Sequence, residues 1–165
     1  MPINLELKIK VNNHRKIISR LIKAGAQNKG ILKQKDIYYK VKSGLLKLRI
    51  EESAYVLIKY LRDEKGKRFS NYELMRLQGR NPEKYLAGIF DVEAVVEKNR
   101  KLFLFENTRI HLDDVKGLGK FLELETLLIS TKNDAHRRFN EVVKMLNLDL
   151  TKQIKASYKN LMMNK

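Results

Sequence analysis

The stretch "NTRIHLDDVKGLGKFLELE", residues 107–125, decides the fold. Read with a period of two, Arg109, His111 and Asp113 fall on one face, and Ile110 and Leu112 on the other. Past the turn, Phe121, Glu123 and Glu125 alternate with Leu122 and Leu124. Such alternation marks strands with two unlike faces. It predicts an antiparallel pair with an unbroken apolar row behind a row of mixed charge. The "GLG" at 117–119 lacks the full G-x-G-x-x-G context of a phosphate loop and reads as turn chemistry.

The same alternation recurs outward from this pair. Ile3, Leu5, Leu7, Ile9 and Val11 oppose Asn4, Glu6, Lys8 and Lys10. "NNHRKIISRLIKAG" then has helical spacing, with Gly25 as its stop. "ILKQKDIYYKV", "LLKLRIEE", "AYVLIKYLR" and "RFSNYELMRL" follow as extended segments, with "KSG" and "DEKGK" among the turns. Asn81-Pro82 opens a short helix over 82–90. "EAVVEKNRKLFLFEN" joins the opening stretch to supply roughly three more strands. A helix near 134–147 turns Phe139, Val142, Val143 and Leu146 inward, and "KQIKASYKNLMM" closes the chain. No linker or repeat divides the chain, so residues 1–165 read as one α+β domain. About eight mostly sequential strands suit a closed antiparallel β-barrel with flanking helices.

The polar rows carry the functional signal. Lys47, Arg49 and Glu51 alternate with Leu46, Leu48 and Ile50, while Lys98 and Arg100 stand beside Val96 and Leu102. These rows concentrate charge and use little Ser, Thr or Gln. The amphipathic helices need apolar sheet surface to cover, so the charged rows are expected to face inward. An interior of this kind is costly to desolvate when empty. It suits a wet tunnel holding a multiply charged anion and its metal.

Composition agrees without choosing a partner. The chain has 165 residues and a net charge of +16, from 35 Lys and Arg against 19 Asp and Glu. That excess attracts nucleic acid, anionic membranes and small polyphosphates alike. The absence of cysteine excludes disulfides, thiolate zinc sites and cysteine nucleophiles. "MPINLELKIK" is charged from its start, so neither a signal peptide nor a membrane span is expected, and a cytoplasmic location is.

"NLELK" at 4–8 resembles the E-x-E-x-K signature of the CYTH superfamily of triphosphate tunnel metalloenzymes. That group joins class IV adenylyl cyclases, thiamine triphosphatases and inorganic tripolyphosphatases. "KLRIE", "LIKYLRD", "VVEKNRKLF", "RIHLDDVKGLGKFLELE" and "SYKNLM" extend the resemblance, in order, over nearly the whole chain. It implies an eight-stranded antiparallel barrel, open at both ends, with a polar interior.

By resemblance and by face, Lys8, Lys47, Arg49, Arg62, Lys98, Arg100 and Arg109 would bind the triphosphate, with Arg76 as a further candidate. Lys59 lies one residue off the Arg62 row. Glu6, Glu123 and Glu125, with Asp113 as a fourth acid, would hold Mg²⁺ or Mn²⁺ through oxygen. Asn4 stands where the first motif Glu belongs, which weakens that position as a ligand. His111 reads as a hydrogen-bonded barrel histidine, and no residue is assigned as general base. Tyr158 reads either as packing or as a contact at the tunnel mouth.

The implied substrate is a small triphosphate: ATP, thiamine triphosphate or tripolyphosphate. The leading expectation is a lyase of the class IV adenylyl cyclase type, turning ATP into cyclic AMP and pyrophosphate. The alternatives are a triphosphatase, a hydrolase, and a non-catalytic polyphosphate or RNA-binding module. No aromatic-interleaved RNA-recognition signature is visible, so nucleic acid is not the expected partner. A homodimer is compatible with this reading.

Overall fold

The computed structural model describes residues 3–61 and 69–165. Arg62 and the "DEKGK" turn lie outside the described residues. The alternating stretches form eight strands: β1 (Ile3–Val11), β2 (Gln27–Tyr39), β3 (Leu45–Glu51), β4 (Ala54–Leu61), β5 (Phe69–Leu77), β6 (Val92–Phe105), β7 (Thr108–Val115) and β8 (Gly119–Leu127). Four α-helices flank them: α1 (Arg15–Lys23), α2 (Pro82–Ala87), α3 (Lys132–Leu146) and α4 (Tyr158–Met163).

The sheet is antiparallel and strongly curled, in the order β1-β5-β4-β3-β2-β6-β7-β8 and back to β1. Its two sides of β1 are unlike. β8 accompanies β1 from Asn4 to Val11, whereas β5 meets it only over Ile3–Leu5. β5 begins at Phe69, opposite Leu5, so no described β5 backbone remains to pair with Glu6–Val11. Among the described residues, closure of the barrel expected from the strand count rests on the Ile3–Leu5 pairing with β5. Long β6 bridges the two halves, pairing β2 along Val92–Leu104 and β7 along Lys98–Phe105.

Helices cover the convex side because the apolar rows lie there. Leu5, Leu7 and Ile9 join Ile110, Leu112, Leu122 and Leu124 in one core with Ile17 and Leu21 of α1 and Phe139, Val142, Val143 and Leu146 of α3. Burying each such side chain contributes about 1.5–3 kcal/mol. Leu86 of α2 packs in a second cluster on Ile37, Tyr39 and Leu48. Tyr158 of α4 meets Tyr38, Val96, Val115 and Phe121 instead, closing over part of the concave side.

Local signals account for the helix ends. Asn81 Oδ1 accepts from Lys84 N at 3.0 Å and Pro82 fills the first turn, although the helix stops at Ala87 rather than at 90. Thr131 Oγ1 accepts from Asp134 N at 3.1 Å, starting α3 at Lys132, two residues ahead of the expected 134. Gly25 takes φ 75°, as a helix stop requires.

Candidate active site and metal centre

Residues paired across antiparallel strands share a face, so register places the charges. Arg49 stands opposite Asp36, Arg100 opposite Asp113, and Lys8 and His111 on either side of Glu123. All of these lie on the concave side.

Asp36 is the first hub, and the sequence reading passed over it. It is fully buried and takes Arg49 through Nε and Nη2 at 2.8 Å each, Lys47 at 3.0 Å and Lys98 at 2.8 Å. Burial pushes its carboxyl up, but Lys47, Lys98 and Arg49 outweigh that and hold it well below the usual carboxylate range. The lysines respond in the opposite sense. Burial, only partly opposed by Asp36, lowers Lys47 to about 7 and Lys98 to about 8. The signal for Asp36 was its place in step with Gln34 and Tyr38, in a segment where lysines mask the alternation.

Asp113 is the second hub. Arg100 donates to it from Nε at 2.7 Å and Nη2 at 2.6 Å, and Tyr158 donates its hydroxyl at 2.8 Å. Arg100 Nη2 also reaches Glu123 at 2.6 Å, and Lys8 lies 3.2 Å from the other oxygen of Glu123. Lys8 donates to the Ala156 carbonyl at 3.0 Å and sits 4.2 Å from the centre of the Tyr158 ring. Tyr158 thus packs, as one of its two readings expected, and it also touches charged groups.

A third cluster has the donors for a cation. One donor atom each from His111, Glu123 and Glu125 lies within 4.8 Å of the others. Burial lowers His111 to about 3, so its imidazole is neutral and retains a lone pair. Its Nδ1 is buried with no hydrogen-bond partner, 3.6 Å from Glu125. Glu123 is held below the usual range by Lys8 and Arg100 against burial, and Glu125 is likewise lowered, with Arg100 and Arg109 as the permanent cations opposing burial. Glu6 stands in register opposite Glu125, outside the three-donor cluster. An orphaned imidazole nitrogen beside ionised carboxylates fits a divalent metal.

The structure brings together Lys8, Lys47, Arg49, Lys98 and Arg100, all buried or half-buried on the concave side. Arg109 shares that side but is half exposed, 3.6 Å from Glu125. Arg76 shares it too and is exposed, whereas Lys59 points to the convex side, 3.9 Å from Glu73. Arg62 lies outside the described residues. Asn4 is buried in the same row as Glu6 and Lys8.

Two expectations change. Asp113, expected as a metal ligand, commits its oxygens to Arg100 and Tyr158 and lies outside the donor cluster. His111, expected to be hydrogen-bonded, has a buried Nδ1 without a hydrogen-bond partner, 3.6 Å from Glu125. Among the described residues the concave cations Lys8, Lys47, Arg49, Arg76, Lys98, Arg100 and Arg109 are offset in good part by Asp36, Asp113, Glu6, Glu123 and Glu125, so most of the +16 excess lies off these rows.

This curled antiparallel sheet with an ionised concave face defines a class, and the chain belongs to it: residues 2–158 match the CYTH domain family. The chain is 28% identical to a Methanocaldococcus jannaschii candidate adenylate cyclase, across 94% of this chain and 96% of that protein. A solved protein of Pyrococcus horikoshii OT3 superposes with a TM-score of 0.82 at 23% identity, covering 96% of this chain and 98% of the other. A Hippeastrum candidate adenylyl cyclase reported to have a dominant triphosphatase activity superposes with a TM-score of 0.70 at 13% identity, covering 99% and 96%. These superpositions concern the fold. No helix among the described residues is long and apolar enough to cross a membrane.

Proposed function

We propose that this CYTH domain, spanning residues 1–165, is a metal-dependent enzyme that binds a triphosphate along its concave face. The observation that carries the reading is the arc of Lys8, Lys47, Arg49, Lys98 and Arg100 beside the His111–Glu123–Glu125 donor cluster. A triphosphate needs several fixed cations to neutralise it, and Arg offers paired donors to its oxygens. Arg109 would add charge beside Glu125, and Arg62, outside the described residues, keeps the same role from its place in the sequence. A divalent ion at the donor cluster, Mg²⁺ or Mn²⁺, would supply further neutralisation and orientation of the phosphate oxygens. The imidazole in the set favours an ion softer than Mg²⁺, and so Mn²⁺ of the two.

The chain's own part is positioning. Asp36 and Asp113 grip Arg49 and Arg100 through two hydrogen bonds each, fixing the guanidinium planes before substrate arrives. Asp113 is thus a positioning residue. In the leading reading the activity is adenylyl cyclase-like: the ribose 3′-hydroxyl attacks the α-phosphorus of ATP and pyrophosphate leaves. The second reading, hydrolysis by water of a terminal phosphorus, gains support from the activity reported for the Hippeastrum protein of the same fold. Both depend on alignment and charge neutralisation rather than a covalent nucleophile.

The test is direct. Pure protein is incubated with ATP, thiamine triphosphate or tripolyphosphate and with Mg²⁺ or Mn²⁺, and products are separated by chromatography. Cyclic AMP with pyrophosphate supports the cyclase, while a diphosphate with orthophosphate supports the triphosphatase. Turnover of none of them, with either metal, overturns the enzyme reading.

A further inference from the structure

Among the described residues the curled sheet leaves two strand edges open, and the chain treats them differently. β3 accompanies β2 only over Gln34–Tyr39, so residues 27–33 present a free edge on that side. That edge is guarded. Gly30, at φ 94°, lies in a register shift between Asn28 and Ile31, with Lys29 and Lys33 around it. Bulges and edge lysines keep a second chain from adding a strand.

β5 has no such guard. β1 reaches it at Asn71 and no described strand goes further, so residues 72–77 are open on one side while β4 pairs the other without a break. No lysine, proline or bulge falls within that edge. Leu74 and Met75, on opposite faces, are nevertheless 59% and 61% exposed. A flat, apolar edge is a template for another strand.

This edge is complementary to itself. Leu74 pairs with Ile58 and Ile58 with Lys47, which puts Leu74, Tyr72 and Arg76 on the concave side. In a two-fold antiparallel pair, facing residues share a face, so the axis must fall where a residue meets its own copy. With the axis at Leu74, the two leucines meet and Tyr72 faces the partner's Arg76, a favourable cation and ring pair. Glu73 then faces the partner's Met75. An axis at Met75 would instead set Arg76 against leucine and Glu73 against Leu77.

We propose that two copies of this chain join edge to edge, β5 against β5 about Leu74, into a two-fold dimer with one continuous sheet. Each copy brings its Arg76 to the other's Tyr72. That ring lies 6.0 Å from the Tyr60 ring, whose centre is 5.4 Å from Lys47 Nζ. A residue of the partner thereby completes the rim of each concave face. The dimer stands whatever that face binds.

Leu74 is exposed, so it can be changed without opening the core. Sedimentation over a concentration series compares the natural protein with Leu74→Lys and the apolar control Leu74→Met, with melting curves to confirm folding. The natural protein and Leu74→Met should sediment at twice the mass of one chain. Leu74→Lys sets two ammonium groups against each other and should raise the dissociation constant at least about tenfold. The chain has no cysteine, so one introduced thiol reports the register. Under mild oxidation Leu74→Cys should cross-link to a dimer, because facing residues of paired strands approach within disulfide reach. Met75→Cys faces Glu73 and should stay single. A natural protein that is monomeric throughout the series overturns the proposal. So does a dimer that Leu74→Lys leaves intact, or a Met75→Cys thiol that cross-links as readily as Leu74→Cys.

Discussion

Tyr158 donates its hydroxyl to Asp113 at 2.8 Å, across 45 positions of sequence. The bond ties the C-terminal helix to the strand residue that orients Arg100. Positioning of a cation at the centre of the concave face is thereby linked to the end of the chain.

Asp113→Asn tests that linkage. Removing the charge leaves Arg100 buried with less compensation, a loss of about 3–5 kcal/mol for a broken buried pair. The melting temperature should fall clearly, while the metal concentration giving half-maximal turnover stays where it was. A shifted metal requirement with unchanged melting would return Asp113 to the ligand set.

Glu123→Gln with Glu125→Gln tests the metal centre. These residues sit two apart on one strand and face the same way. An amide is a poor substitute for a carboxylate on a hard cation. Turnover should drop at least a hundredfold or so at any metal concentration, while tripolyphosphate binding without metal holds or tightens. Melting should fall moderately, because Glu123 also meets Lys8 and Arg100. Normal metal-dependent turnover in the double variant would remove both residues from the site.

The buried lysines predict opposite pH trends for folding and binding. Lys47 and Lys98 lose their protons at about 7 and about 8 in the folded chain, against 10.5 for an ordinary lysine. Between those values the unfolded chain holds more protons, so stability should rise with pH across the window. Triphosphate binding needs the protonated amines, so its affinity should fall over the same range. Melting curves and calorimetry from about pH 7 to about 9.5 check both. Affinity that stays constant would place these lysines outside the binding arc.

Because most of the excess charge lies off the concave face, duplex DNA and tripolyphosphate should not compete for one site. DNA binding should be weak and lost steeply as salt is raised. Competition assays at two salt concentrations provide the check. Tight, sequence-dependent DNA binding at physiological salt would favour the binding-module reading instead.

Alternation made the strands and their two faces legible, since Leu5, Leu7 and Ile9 left one side for Glu6 and Lys8. The helix cap was equally plain at Asn81, whereas the Thr131 cap went unread and α3 begins two residues ahead of the expected 134. The Asp36 hub was less accessible, because a lone carboxylate among lysines gains meaning only when β3 and β6 bring Arg49 and Lys98 beside it. Asp113 was legible as an inward carboxylate but not as an arginine anchor, which depends on contacts made by β6 and α4. The register of β1 on β5 could not be read either, because strand register around a curled sheet is a property of the assembled backbone.

The offsetting of cations by carboxylates on the concave face has a consequence for selectivity. The buried arginines and lysines there already share counterions that are tethered to the backbone and never diffuse away. An incoming anion must outcompete a local carboxylate present at high effective concentration, about millimolar or above. A singly bound phosphate displaces one partner and is readily exchanged for it again. A chain of phosphates displaces several in a single event, as a polyvalent eluent strips an ion-exchange resin where a simple salt does not. The folded chain thus sets a threshold of valence for what it retains, through residues that need never touch the ligand.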